Sequence, residues 1–155
     1  MAITVGIDTY VTLAEADAYV AANYLSTDEP LVRWNALISA NKEVALRRAA
    51  SGIELLPFVG KKSLLDQVMA FPRYPSSVVP SDVKAAQIEQ ALESLDPAYQ
   101  GSIAANNDLV LRGVTSYRIG KLSETFKATS SLNMVSIKTA GMLEKYTRGG
   151  YNICP

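Results

Sequence analysis

Two pairs of carboxylates are the first residues in this chain whose spacing could do chemistry. Glu89 and Glu93 sit at i and i+4, and Glu15 and Asp17 at i and i+2. Neighbouring carboxyl groups can divide acid and base roles between them. Each pair falls on the polar side of an amphipathic pattern, so both read as a solvated helix face. Gly60-Lys61-Lys62-Ser63 has the ending of a phosphate-binding loop. The position five residues upstream is Leu55, where that motif needs glycine, and no hydrophobic strand precedes it, so Lys61 and Lys62 read as surface lysines. A third constellation joins Lys61, Lys62, Arg73, Lys84, Arg47 and Arg48 to Trp34, Phe71 and Tyr74. Cations interleaved with aromatic rings suit single-stranded nucleic acid. The charge balance favours the plainer reading, with Trp34 and Phe71 in the core and the cations scattered. Arg73 stands apart, since it follows Pro72 between two aromatics. Two roles fit it: pinning its own loop by bonds to carbonyls, or meeting a partner's carboxylate.

Other chemistry is scarce. There is no histidine, which removes the commonest general base, zinc ligand and proton switch. The single cysteine, Cys154, has no partner for a disulfide and no imidazole to activate it. No catalytic residue, cofactor or metal is expected, and an enzyme is the last reading.

The elements that would position these residues are mainly helical. Ile3, Val5 and Ile7 alternate with polar or small neighbours, as in a short strand or extended arm. Thr12-Leu-Ala-Glu15 is a capping box, and Leu13, Ala16, Val20 and Tyr24 follow at helical spacing, giving a helix over 13–24. Ser26 to Pro30 is a break, followed by a short apolar piece with Trp34. A second helix starts at Ser39 or Asn41 and runs to about Glu54, with Leu46, Ala49 and Ile53 in a row. Residues 55–79 read as a long ordered loop with a helical turn near Ser63–Met69, its Leu64, Leu65, Val68, Met69 and Phe71 pinned to the core. A third helix begins near Ser81, buries Ala85, Ile88, Leu92 and Leu95 as one stripe, and ends at Asp96-Pro97. Residues 98–108 are small and polar. Alternation around Gly120-Lys121 predicts a β-hairpin over 113–127, and a last helix spans 135–147 before Gly149-Gly150. Residues 148–155 form a tail. The expected fold is a small, mostly α bundle with a hairpin insertion and extended arms at both ends, in one domain over 1–155. Its helical core covers about 12–95.

Composition agrees with one soluble domain. The chain has 155 residues, 48% of them hydrophobic, and 15 cations against 15 acids. That neutrality argues against a dedicated nucleic-acid binder and tolerates self-association. No signal peptide and no membrane span are evident, so synthesis in the cytoplasm is expected.

The order of the motifs resembles a family of tailed-phage neck proteins often catalogued as DnaT-like. The resemblance runs through Tyr10-Val-Thr-Leu-Ala-Glu-Ala-Asp-Ala-Tyr19, Trp34, Lys42-Glu-Val-Ala-Leu46, Phe58-Val-Gly60, Gln67-Val-Met-Ala-Phe-Pro-Arg73 and Val79-Pro-Ser-Asp-Val83. It covers about the whole chain; Phe71 departs from the family's usual tryptophan. The resemblance implies a structural head–tail adaptor in the virion neck. Copies would form a ring of about twelve, docked on the portal and linked to a stopper or tail-completion protein, with DNA only passing through. Arg73, Arg148, Tyr151 and Ile153 are the expected partner-binding residues. The alternative is a single-stranded-DNA-binding module built on Trp34, Phe71, Tyr74 and the nearby cations.

Overall fold

The computed structural model describes residues 2–111, 116–119, 122–125 and 135–147. The chain is mostly helical, with six α-helices among the described residues: α1 (Leu13–Asn23), α2 (Glu29–Asn35), α3 (Ser39–Glu54), α4 (Ser81–Ser94), α5 (Pro97–Leu111) and α6 (Ile137–Leu143). A 3₁₀ turn, Glu144–Tyr146, follows α6. Strands β1 (Ser116–Ile119) and β2 (Leu122–Thr125) pair antiparallel, Ser116 opposite Thr125. The Gly120-Lys121 turn, Cys154 and the tail 148–155 lie outside the described residues, and so do Arg148, Tyr151 and Ile153.

Local sequence explains most of these boundaries. The Thr12 hydroxyl accepts the Glu15 amide at 3.1 Å, and the Glu15 carboxylate accepts the Thr12 amide at 2.7 Å, closing the capping box of α1. Pro30 sits in the first turn of α2, where a missing N–H costs nothing. The same logic explains α5, a helix the small, polar stretch 98–108 did not announce: Pro97 ends α4 and opens the next helix. The expected last helix is shorter, because its final turn tightens to 3₁₀ geometry. No helical turn forms at Ser63–Met69. The N-terminal arm carries only a Val5–Thr9 bridge, with Gly6 at φ 85°, before Tyr10 and Val11 enter the core.

α4 is the axis of the molecule. It packs against α1, α2, α3, α5 and α6. The alanines of α3 (Ala45, Ala49, Ala50) are buried and permit close approach to it. Two apolar clusters flank α4. One gathers Val11, Val20, Trp34, Leu46, Ile88 and Leu92; the other gathers Tyr10, Ile53, Met69, Phe71, Val83 and Leu143.

A helix surrounded on all sides cannot keep a polar face, and here the expected single stripe fails. Ile88 and Leu92 are buried, while Ala85 and Leu95 are half-buried; Gln87, Glu89 and Gln90 go inside with them. Each of these polar side chains is bonded, as burial requires. Gln87 accepts the Tyr10 amide at 2.8 Å and donates to the Thr9 hydroxyl and the Leu46 carbonyl. Gln90 accepts the Ser136 amide at 2.7 Å, holding the start of α6.

Glu89 is the sharpest correction. It is 4% exposed, not part of a solvated face. Its carboxylate accepts Tyr19 Oη at 2.9 Å, Tyr24 Oη at 2.5 Å and Lys138 Nζ at 2.7 Å, tying α1 and α6 to α4. Burial, and then the bond to Glu89, pushes the Tyr19 phenol up to about 12, and the Tyr24 phenol moves the same way. Burial opposes the charge on Lys138, but its bonds to Glu89 and Tyr24 outweigh that and raise its affinity for the proton.

Candidate nucleic-acid interface

The loop between α3 and α4 is a folded lobe built on main-chain bonds. The Lys61 carbonyl accepts the Tyr74 amide at 2.9 Å, the Pro72 carbonyl accepts the Ser63 amide at 3.2 Å, and Lys62 bridges Arg73 in antiparallel fashion. These bonds set residues 61–63 alongside 72–74. The 3₁₀ turn after α6 joins the lobe: the Val59 amide donates to the Tyr146 carbonyl at 2.8 Å, and Phe58 bridges Thr147. Inside, Phe71 meets Tyr10, Phe58 and Tyr146 edge-on, with ring centroids 4.8–6.0 Å apart.

Two ionic side chains hold this backbone. Arg73 donates to the carbonyls of Val59 (2.7 Å), Ala70 (3.1 Å), Phe58 (3.4 Å) and Gly60. Its guanidinium also lies 5.9 Å from the ring centroids of Phe58 and Phe71. Of the two roles open for Arg73, the structure displays the first: it pins its own loop. Glu54, at the end of α3, accepts the Ala70 amide with both oxygens, at 3.1 and 2.9 Å, and the Tyr10 hydroxyl with one. Burial, reinforced by Glu54, drives the Tyr10 phenol strongly upward, so it stays a donor.

The basic and aromatic constellation does not assemble, as the plainer reading of Trp34 and Phe71 expected. Trp34 is 1% and Phe71 2% exposed, so neither ring can stack on a base. Trp34 donates instead to Asp17 at 2.7 Å, a carboxylate that also receives Lys42 at 2.8 Å. Burial raises the Asp17 carboxyl, but the Lys42 and Trp34 bonds outweigh it and hold the group below its ordinary range. Asp17 is thus a link from α1 to α2 and α3, and Glu15, ion-paired to Lys84 at 2.6 Å, links α1 to α4. Arg47 stands 4.0 Å from Asp8, and Lys62 donates to the Gln67 and Val68 carbonyls. Lys61 remains exposed on the lobe, its ammonium unpartnered among the described residues.

Tyr74 is the member of the set that survives. Its side chain is 76% exposed, whereas Tyr10, Trp34 and Phe71 are buried. The same loop exposes Leu64, Leu65, Val68 and Val78, which correct the expectation that Leu64, Leu65 and Val68 are pinned to the core; Met69 and Phe71 alone of that group are buried. Spacing could not separate these apolar residues, because irregular backbone has no period. Among the described residues no cluster of three metal-binding side chains occurs, and no helix is long and apolar enough to cross a membrane.

Comparison with known families overturns the neck-adaptor expectation, and with it the virion setting, the ring of copies, the portal and the stopper or tail-completion partner. The family model that matches, over residues 2–154, is described as "Putative DnaT-like ssDNA binding protein" and not as a head–tail adaptor. The physical reason is visible in the residues that carried the resemblance. Tyr10, Ala16, Trp34, Leu46, Phe71 and Val83 are all buried, so they specify a fold and not a partner. No curated protein and no solved structure matches the chain. With a match that spans nearly every residue, the chain belongs to the family that carries this description.

Proposed function

We propose that the protein binds single-stranded DNA through the 55–80 loop, with a base stacked on Tyr74 and a phosphate met by Lys61. In this reading it is a binding protein and not an enzyme. It acts as a single helical domain, with the β1–β2 ribbon as an appendage. One observation carries the proposal: exposed Tyr74 and exposed Lys61 are paired through the backbone, the Tyr74 amide donating to the Lys61 carbonyl at 2.9 Å. An exposed ring and an exposed cation on paired backbone segments are the two parts that sequence-tolerant stacking uses. The family description supplies the ligand class. Within the loop, Lys61, Lys62 and Arg73 stand against one acid, Asp66, so the site is locally basic although the chain is neutral. Exposed Leu64, Leu65, Val68 and Val78 favour unstacked bases over a duplex backbone, whose outer surface is charged.

The test is an anisotropy titration of a short fluorescein-labelled oligothymidylate at low salt. Stacking on one ring is worth about 1–3 kcal/mol, so Tyr74→Ala weakens binding by roughly 5- to 150-fold. Lys61→Ala flattens the log–log salt dependence by about 0.7. Wild-type protein that leaves the oligonucleotide free at low salt, or a Tyr74→Ala variant that binds unchanged, overturns the proposal.

A further inference from the structure

We infer that Arg73 and Glu54 are positioning residues for this site: they fix the backbone that presents Tyr74 and Lys61 and do not themselves hold the DNA. This rests on the reading of the loop as the DNA contact.

The argument starts from donors and acceptors. A guanidinium has five N–H groups. Arg73 directs bonds to four carbonyls, those of Phe58, Val59, Gly60 and Ala70, leaving little to offer a phosphate. The chain just before Lys61 and the chain before Tyr74 therefore converge on one side chain. Ala70 is gripped from both directions, its carbonyl by Arg73 and its amide by Glu54, which is anchored to the end of α3 and to Tyr10. Gly60 completes the cradle. Its φ of 88° lies in the left-handed region, where a side chain is strained, and it aims its carbonyl at Arg73. A β-carbon there would meet Arg73 Nε at only 3.9 Å, ordinary contact, so backbone conformation and not space is what requires glycine. An irregular loop of this length would otherwise be ordered at the moment of binding, at the expense of affinity. Here the ordering is done by folding.

The experiment compares Arg73→Lys and Arg73→Gln in the full chain, with the same oligothymidylate across a salt series. Lys keeps the charge but not the planar fork, and Gln keeps neither. A positioning role predicts that both variants lose affinity by about tenfold and that neither changes the salt slope. Binding by Arg73→Lys equal to wild type, or a slope that falls by about 0.7 in Arg73→Gln, makes Arg73 a phosphate contact and overturns the inference. Gly60→Ala reaches the same cradle without touching a charge and is expected to weaken binding at unchanged slope; it decides the matter if the Arg73 variants do not fold. Amide exchange gives a readout without DNA: the Ser63, Ala70 and Tyr74 amides, bonded in the wild type, should exchange faster in Arg73→Lys while those of α4 stay protected. Unchanged loop protection overturns the inference. Wild-type protein that binds no oligonucleotide overturns the DNA reading itself, and the two failures are therefore distinct.

Discussion

Replacing Glu89 by glutamine should be among the most destabilising isosteric changes in this protein. The carboxylate is 4% exposed and receives three donors, the hydroxyls of Tyr19 and Tyr24 and the Lys138 ammonium. A hydrogen bond to a charged group contributes about 1.5–3 kcal/mol and a neutral one about 0.5–1.5, so neutralising the acceptor of the two phenols costs about 2 kcal/mol. The ion pair adds less. The Lys138 side chain is half exposed and returns to water, which limits that contribution to about 0–1 kcal/mol. The total is about 2–3 kcal/mol, which for a chain of this size lowers Tm by about 5–10 °C. Urea unfolding followed by circular dichroism at neutral pH measures it. The alkaline limb supplies a second check. The folded Tyr19 pKa of about 12 lies above the ordinary value of 10.0, so its contribution is complete below about pH 10 and is lost as pH rises towards 12. Tyr24 and Lys138 shift in the same direction and add to that loss. The stability gap between wild type and Glu89→Gln should therefore narrow across that window, because the phenolate of Tyr19 repels the Glu89 carboxylate but not an amide. A Glu89→Gln variant within about 0.5 kcal/mol of wild type, or a gap that does not change with pH, would refute the buried three-donor arrangement.

Other consequences are simpler. Gln87→Leu strands the Tyr10 amide in the core, removes a second bond to the Leu46 carbonyl, and should cost about 2–4 kcal/mol in urea unfolding, more than Ile88→Val on the same helix. Thr12→Ala removes the capping box of α1 and should cost about 1 kcal/mol, read most directly as faster amide exchange in its first turn. Tyr74→Ala should change Tm very little, since the ring is exposed, so a loss of oligonucleotide binding in that variant reports on contact and not on folding. Glu15 and Asp17 are both held below their ordinary values of 4.5 and 3.8, Glu15 first by its bond from Lys84 and Asp17 by Lys42 and Trp34 against burial. Depressed carboxyls stabilise above those values and lose that contribution as pH falls through the folded pKa. Acid unfolding should therefore shift to higher pH in Lys84→Met and Lys42→Met.

Much of the fold is legible in the sequence because local chemistry sets it. Thr12 and Glu15 cap α1 with no help from the rest of the chain, and the leucine, alanine and isoleucine row of α3 has a helical period that reads directly. The neutral charge, the missing histidines and the unsuitability of Gly60-Lys61-Lys62-Ser63 as a phosphate loop are also properties of composition and spacing alone. The burial of Trp34 and Phe71 follows from the size of their apolar surfaces.

Tertiary structure decided the rest. Whether a polar residue on a helix faces water depends on how many neighbours surround that helix, and α4 has neighbours on every side; Glu89, Gln87 and Gln90 are therefore interior residues that no periodicity could identify. In the 55–80 loop the backbone is irregular, so nothing in the order of residues separates buried Phe71 from exposed Tyr74 three positions later. What separates them is a set of long-range bonds, Arg73 to the 58–60 carbonyls and Glu54 to Ala70, that exist only once the chain has closed on itself.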